Sequence, residues 1–437
     1  MDFTIHSFWF YCCKNTYFPS SNNTIEMRES TSFCYFCVLI LIAITYFQLS
    51  TLQIHKHKID SILRRHPWIF SGAIASETDK LKDGETVTVV DHKGQFLARG
   101  HFQHATIAVR VLTFEDRPTD DKFFIERISN AVQLRKNLQL LTDNNTICRL
   151  VHGEGDSLPG LIIDYYQGVA VIQCHSIGMY VSIKAITKGL KQAFGNKLIA
   201  VYSKSSETLP QRTDVEDGYI FGDCVTPHIC LEHGVKLNID WVTGQKTGFY
   251  IDQRENRNLL GKYALGKKVL NTFCYSGGFS LLALKNGAEL VHSLDSSKKA
   301  IVLTEENVDL NNFQDKHKSI VADAMEYMKD LPEEYDIIVL DPPAFAKHRE
   351  KRHKAIQGYK RLNANAIRQI KPGGLIFTFS CSQVVDKYLF NNTVIAAAIE
   401  AGRNVRILEQ LHQPADHPIN AFHPEGEYLK GLVIQVD

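Results

Sequence analysis

The sequence predicts an α/β protein, with a doubly wound parallel sheet at the C-terminal end, a small α+β unit before it and a small β-barrel before that. Three observations carry this reading. From residue 267 onward, short apolar runs alternate with helical patterns, as in a parallel sheet covered by helices on both faces. Between residues 51 and 116, short alternating strands recur with turn residues between them, at the spacing of a small barrel. Two buried-strand patterns, 337–340 and 375–379, end in Asp341-Pro342-Pro343 and Ser380-Cys381-Ser382. A carboxylate and a thiol thus each lie just past a strand's carboxyl end, where open α/β sheets bind ligands.

A length of 437 residues suggests about three domains. The net charge of +1 rules out a polyanion surface built from bulk charge, so any nucleic-acid site must come from local clustering. Ten cysteines lack the dense, regular spacing of a disulfide scaffold and read as reduced thiols of an intracellular protein. Cys34-x-x-Cys37 has a metal-ligand spacing but no second pair, so no metal is expected.

Residues 1–50 do not match the remainder of the chain. The run 33–47 is uncharged and apolar, and its 15 residues fall short of the roughly 20 that a membrane span needs. A membrane anchor, a weak signal sequence and an upstream extension outside the working fold compete. The later segments look complete without it, so the extension is expected, with a cytoplasmic location and no membrane partner.

In the barrel region (51–116), residues 84–90 alternate, 91–94 turn, and 96–100 and 107–112 supply further strands. Ahead of them, Arg64 and Arg65 next to Trp68 suit a phosphate-contacting surface. The competing reading is two solvated arginines and a core tryptophan. In the α+β unit (117–240), residues 120–145 recur at helical spacing, 149–164 mix a turn-rich loop with a strand, 169–174 read as a strand and 180–194 as a helix. Glu154 and Asp156 sit in that loop, where polar turn residues are the expected role.

The last domain is expected over 241–437. Its opening segment, 242–257, is dense in glycine, aromatic and charged residues and is a candidate lid, with Asp252 as the cap of a helix carrying Arg254 and Arg257. Lys246, Tyr250 and Arg254 are its candidate RNA contacts. Strands are expected at 269–273, 290–294, 319–322, 337–340, 375–379, 405–409 and 432–436, with helices at 279–286, 298–310, 325–331, 359–370 and 387–401.

The loop Cys274-Tyr275-Ser276-Gly277-Gly278 joins the first of these strands to its helix, and glycine there lets a ligand approach the backbone. Asp295 follows Gly277 by 18 residues, where an acid binds a ribose diol in dinucleotide folds. The loop lacks the G-x-G-x-x-G pattern, which argues against NAD. Glycine loop, Asp295 and Asp323 in register suit S-adenosylmethionine, with ribose on Asp295 and the adenine amine on Asp323. The candidate cofactor set is Phe273, Tyr275, Ser276, Gly277, Gly278, Asp295, Ser296, Asp323, Ala324 and Asp341. Taken singly, such aspartates are helix caps.

Carbon 5 of a pyrimidine is too weak a nucleophile to take a methyl group directly. A thiolate added at carbon 6 makes it enamine-like, so one cysteine and one acid near the ring nitrogens are needed, and Cys381 and Asp341 supply them. Partial exposure at a helix N-terminus is the setting that lowers a thiol's pKa, and the flanking serines suggest an open position. A buried Cys381 serving as a small hydrophobe is the alternative. Asp-Pro-Pro also suits methylation of an exocyclic amine, which needs no cysteine. Between the two strands, residues 347–361 hold seven lysines or arginines against one glutamate. Lys347, Arg349, Lys351 and Arg352 would draw phosphates to the same crevice.

The stretches RRHPWIFSG, DHKGQFLARG, KTGFYIDQR, VLNTFCYSGGF, DPPAF, FTFSCS and ADHPINAFHPEGEYLKGL together resemble the bacterial PUA-domain-containing large-subunit (23S) ribosomal RNA cytosine-5 methyltransferases, over about residues 52–437. The resemblance implies a PUA RNA-binding barrel, a Rossmann-like methyltransferase domain and S-adenosylmethionine as donor. It also implies Cys381 as attacking thiol and ribosomal RNA, naked or in a precursor particle, as partner. Oligomeric state stays open, a homodimer included. The rivals are an amine-directed (guanine N2) ribosomal RNA methyltransferase and a non-catalytic RNA-binding assembly factor.

Overall fold

The computed structural model describes residues 49–210, 214–332, 334–346 and 348–437. The apolar run 33–47, the pair Cys34 and Cys37, and Lys347 lie outside the described residues. Among the described residues, no helix is long and apolar enough to cross a membrane.

Strands β1 (Ser50–Gln53), β2 (Trp68–Phe70), β3 (Thr86–Val90), β4 (Phe96–Phe102) and β5 (Ile107–Thr113) form a sheet in the order β1-β3-β4-β5-β2. Alternation points Val87, Val89 and Ala98 into one core with Leu52 and Ile69. β1 and β2 are strands that sequence pattern alone does not mark. β1 pairs with β3 from Ser50 on, one residue inside the segment assigned to the extension.

Helix α1 (Asp121–Asn137) starts where Asp120 accepts from the Phe123 amide at 3.2 Å. It stops eight residues before the expected end. Gln139 turns left-handed (φ 53°), and Asn145 ties the following turn by donating to the Leu140 carbonyl at 2.6 Å. The expected helix 180–194 is two, α2 (Ile177–Val181) and α3 (Ile183–Phe194). They break at Ser182, whose hydroxyl donates back to the Gly178 carbonyl.

These helices cover a second sheet of β6 (Ile147–His152), β7 (Leu161–Tyr166), β8 (Val169–Cys174), β9 (Ala200–Ser203) and β10 (Gly218–Phe221), ordered β10-β9-β8-β7-β6. Ala170 and Ile172 pack among Phe123, Ile128 and Leu190. Val169 and Val171, on the other face, share a core with Trp241, Leu260 and Phe279 further along the chain. The middle sheet is therefore buried on both faces, and its inner face is continuous with the core of the last domain. Hairpin β11 (His228–Glu232) and β12 (Val235–Ile239) lines this junction.

The last sheet holds β13 (Lys268–Thr272), β14 (Leu290–Asp295), β15 (His317–Val321), β16 (Ile337–Leu340), β17 (Gly374–Ser380), β18 (Val405–His412) and β19 (Lys430–Val436). Its order is β15-β14-β13-β16-β17-β19-β18, parallel except for β19, which runs antiparallel to both neighbours. In β16, Ile337 and Val339 enter one core while Ile338 and Leu340 enter the other. That is the double burial a continuous apolar run encodes. The sheet is preceded by α4 (Arg254–Tyr263). Helices α5 (Gly278–Lys285), α6 (Lys298–Leu310), α7 (Ala324–Tyr327), α8 (Arg352–Gln369) and α9 (Lys387–Ala401) connect its strands. The order reverses at β13, so the crevice beyond its carboxyl end is the expected ligand site.

Candidate active site

Asp341 and Cys381 leave neighbouring parallel strands, β16 and β17, which pair Leu340 with Thr378. The residues flanking the thiol, Ser380 and Ser382, are buried, while Cys381 is half-exposed. Ser382 donates to the Ala346 carbonyl at 2.6 Å, which anchors the turn after the thiol. No helix begins at Cys381; α9 starts at Lys387, capped by Asp386. The expected lowering of the thiol pKa by a helix terminus is therefore not what the site provides. Burial pushes the thiol up to about 11, with Asp341 and Asp252 adding to the rise and Lys430 opposing it.

Burial also raises the Asp341 carboxyl, to about 7, and the Asp252 charge adds to this. A side-chain hydrogen bond from Gln253 and the charge of Arg257 pull the other way. An acid titrating near neutrality can hold a proton for a ring nitrogen or take one from the thiol.

Asp252 is not a helix cap. It lies in a single turn (Ile251–Gln253) before α4, and its Oδ2 accepts from the Tyr428 hydroxyl at 2.8 Å. Tyr428 and Lys430 come from the tail that leads into β19. Lys430 is buried, and its Nζ donates to the carbonyls of Ser382 (2.7 Å) and Tyr428 (2.8 Å). Burial lowers it to about 8 against the raising effect of Cys381. Sequence reasoning misses Asp252, Tyr428 and Lys430 as site residues because no spacing links them to Cys381; the only signal in the tail is its share of the family resemblance.

The glycine loop lies at the end of β13. Phe273 (φ 54°) and Tyr275 (φ 47°) are left-handed without being glycine, a costly geometry common at functional sites. Thr304 and Asn307 of α6 hold the loop through the carbonyls of Tyr275 (2.9 Å) and Ser276 (3.0 Å). Gly277 is also left-handed (φ 78°), and a Cβ there would lie 2.8 Å from the Thr304 methyl. Asp295 accepts from the amides of Tyr275 (3.1 Å) and Ser297 (2.9 Å) and keeps lone pairs for a diol. Ser296 beside it is exposed. Asp323 caps α7 through the Glu326 amide (3.0 Å), while Ala324 is buried. A strained backbone cradle, a strand-end carboxylate and a second one past the neighbouring strand fit S-adenosylmethionine.

The segment 242–257 packs against this loop through Tyr275. The Tyr275 hydroxyl accepts from the Gln245 amide (3.2 Å), Tyr250 stacks edge-on against Tyr275 (5.3 Å), and Lys246 is exposed. Arg254, expected to contact RNA, does not reach the surface. It is 1% exposed, with Nη1 on Asp416 Oδ2 (2.8 Å) and Nε on Glu255 (3.0 Å). Burial alone would raise the Asp416 carboxyl, but His417 and Arg254 hold it well below the usual range. Nearby, Asp164 takes both Arg149 bonds (2.7 and 2.8 Å) and the Thr247 hydroxyl (2.6 Å). These buried pairs bind the tail, the middle sheet and the lid together.

Arg349, Lys351 and Arg352 are exposed at the start of α8, on the segment that leaves the crevice from Asp341. Arg64 and Arg65 are exposed in the turn that precedes β2. Trp68 is half-buried, and its Nε1 donates to Glu154 at 2.8 Å. Glu154 is thus a partner of the barrel sheet rather than only a turn residue.

A family model described as a PUA-like domain matches residues 52–114, and one described as an S-adenosylmethionine-dependent methyltransferase matches residues 148–430. The protein named ribosomal RNA large subunit methyltransferase I in Klebsiella pneumoniae (strain 342) is 38% identical over 393 residues, covering 88% of this chain and 98% of that one. The protein of the same name in Aeromonas hydrophila is 38% identical over 396 residues, covering 88% and 99%. The crystal structure of SMU.776 complexed with SAH superposes with a TM-score of 0.77 at 22% identity, covering 89% of this chain and all of that one, a likeness of fold.

Proposed function

The chain belongs to the S-adenosylmethionine-dependent methyltransferases, within the family of ribosomal RNA large subunit methyltransferase I, and from that premise we propose that it methylates carbon 5 of a cytosine in large-subunit ribosomal RNA through a covalent adduct on Cys381. The observation that carries this reading is the placement of Cys381 and Asp341 past the ends of two register-paired strands, in one crevice with the glycine loop.

Cys381 loses its proton and its sulfur adds to carbon 6 of the ring, while Asp341 gives or shares a proton at the ring nitrogen that gathers charge. S-adenosylmethionine, when bound, supplies the methyl group that the now enamine-like carbon 5 accepts. Loss of the carbon-5 proton to water then expels the Cys381 sulfur as thiolate, and return of the ring-nitrogen proton to Asp341 leaves the neutral aromatic ring. Lys430 favours the thiolate through its charge, and its bonds to the Ser382 and Tyr428 carbonyls keep that charge in place. The loop 273–278, Asp295 and Asp323 hold the donor. Lys246, Tyr250, Arg349, Lys351 and Arg352 receive the RNA near the crevice, Arg64 and Arg65 receive it at the turn before β2, and Lys347 shares the basic segment's charge.

Incubation with labelled S-adenosylmethionine and unmodified large-subunit RNA, followed by nucleoside analysis, tests the reading. Labelled 5-methylcytidine is expected. Labelled N2-methylguanosine would replace it with amine methylation.

A further inference from the structure

The stretch 64–72 is a candidate for phosphate contacts, yet one of its side chains is turned to other work. His66 meets His423 and Glu425 of the C-terminal tail. Its Nε2 lies 3.7 Å from Glu425 Oε2, and His423 Nε2 lies 3.8 Å from the same oxygen. One ligand atom from each of the three falls within 4.8 Å of the others.

His423 is 3% exposed, and among the described residues neither of its ring nitrogens has a hydrogen-bond partner. A buried polar atom left unsatisfied keeps its full desolvation cost, so such a group calls for a ligand. Two imidazoles and one carboxylate form a donor set suited to zinc, with a fourth position for water. Around a tetrahedral ion, ligand atoms bound at about 2.0–2.1 Å sit roughly 3.3 Å apart. The Glu425 side chain is 55% exposed and can approach both imidazoles from its present 3.7 and 3.8 Å.

His66 Nδ1 accepts from the Trp68 amide at 3.2 Å and lies 3.3 Å from the Trp68 carbonyl oxygen. A metal on Nε2 requires the other tautomer, in which Nδ1–H gives up the amide bond and donates to that carbonyl instead. The indole of Trp68 packs 4.3 Å from the His423 ring, and its Nε1 fixes Glu154 as a second carboxylate beside the cluster.

We propose that His66, His423 and Glu425 form a zinc-binding clasp that joins the N-terminal sheet to the tail carrying Asp416, Tyr428 and Lys430. The expectation of no metal weighed only Cys34 and Cys37; this set is not visible in the sequence, because His66 lies more than 350 positions from His423 and Glu425. The clasp takes no part in methyl transfer; it fixes the tail from which Tyr428 and Lys430 reach the site.

The test uses the full, untagged chain stripped with a chelator and titrated with cobalt(II), then zinc. We expect one cobalt per chain, a visible ligand-field band that zinc abolishes, and a zinc-dependent rise in Tm of about 3–6 °C. His66→Asn and Glu425→Gln, both at residues with exposed edges, are expected to weaken binding at least about tenfold while leaving circular dichroism unchanged. His423→Asn is expected to abolish it. Absence of both the band and the Tm shift in the native chain overturns the proposal. So does undiminished binding in His66→Asn and Glu425→Gln.

Discussion

Lys430 faces Ser380 across the β17–β19 pair, and its Nζ donates to the Ser382 carbonyl at 2.7 Å, bracketing the thiol between two fixed residues. A buried cation held this way counters the burial that raises the Cys381 pKa. Lys430→Met is expected to lower kcat by about 10²-fold or more. It should also move the alkylation pH profile of Cys381 upward while leaving S-adenosylmethionine affinity unchanged. An unchanged alkylation profile would reduce Lys430 to a packing role.

The pH dependence comes from Asp341 at about 7 and Cys381 at about 11. The reactive form needs the thiolate and the carboxylic acid together. Its fraction grows about tenfold per pH unit up to about pH 7, because only the thiolate fraction changes. Above that, the gain in thiolate cancels the loss of acid, so kcat/KM is expected to level off. In Asp341→Asn the break near pH 7 should vanish and the rate should fall by about 10²–10⁴-fold. A single break near pH 8.5 in the native enzyme would contradict this pairing.

Gly277 tests the donor cradle. A side chain there adds a left-handed strain of about 1–2 kcal/mol and meets the Thr304 methyl at 2.8 Å. Gly277→Val is expected to weaken S-adenosylmethionine binding more than tenfold by calorimetry, with unfolding at a similar temperature.

The buried pair Arg254–Asp416 is expected to act on stability. Asp416→Asn leaves Arg254 with only the partly exposed Glu255 as counter-charge and should cost about 3 kcal/mol in denaturant unfolding. The folded carboxyl is depressed, so its contribution is present above its unfolded value of about 4 and is lost as pH falls below that. The variant should therefore lose less stability than the native chain between about pH 4 and pH 2.

The exposed basic segment is expected to act on affinity alone. Replacing Arg349, Lys351 and Arg352 with alanine should flatten the salt dependence of RNA binding by about 0.7 per lost contact. The rate at saturating RNA should hold.

The last domain is legible in the sequence because its strands are continuous apolar runs, such as Ile337–Leu340, that end in chemistry-bearing residues. Strand ends then place Asp295, Asp323, Asp341 and Cys381 by topology alone. The burial of Arg254 is not legible, since its partner Asp416 lies 162 residues away and nothing local distinguishes an inward arginine from a surface one. The role of Asp252 escapes for the same reason: a helix-start pattern points to a cap, while the contact that decides its place is Tyr428, 176 residues on. The shortened α1 turns on Gln139, a residue type with no preference for the left-handed backbone it adopts.

The central claim is the bond between Cys381 and the target base. The most direct measurement is intact and peptide mass spectrometry after mixing the enzyme, S-adenosylmethionine and RNA carrying 5-fluorocytidine. The fluorine cannot leave as a proton would, so the adduct persists. The account predicts a covalent complex mapped to the peptide containing Cys381, absent in Cys381→Ala. Steady production of 5-methylcytidine by Cys381→Ala would contradict it.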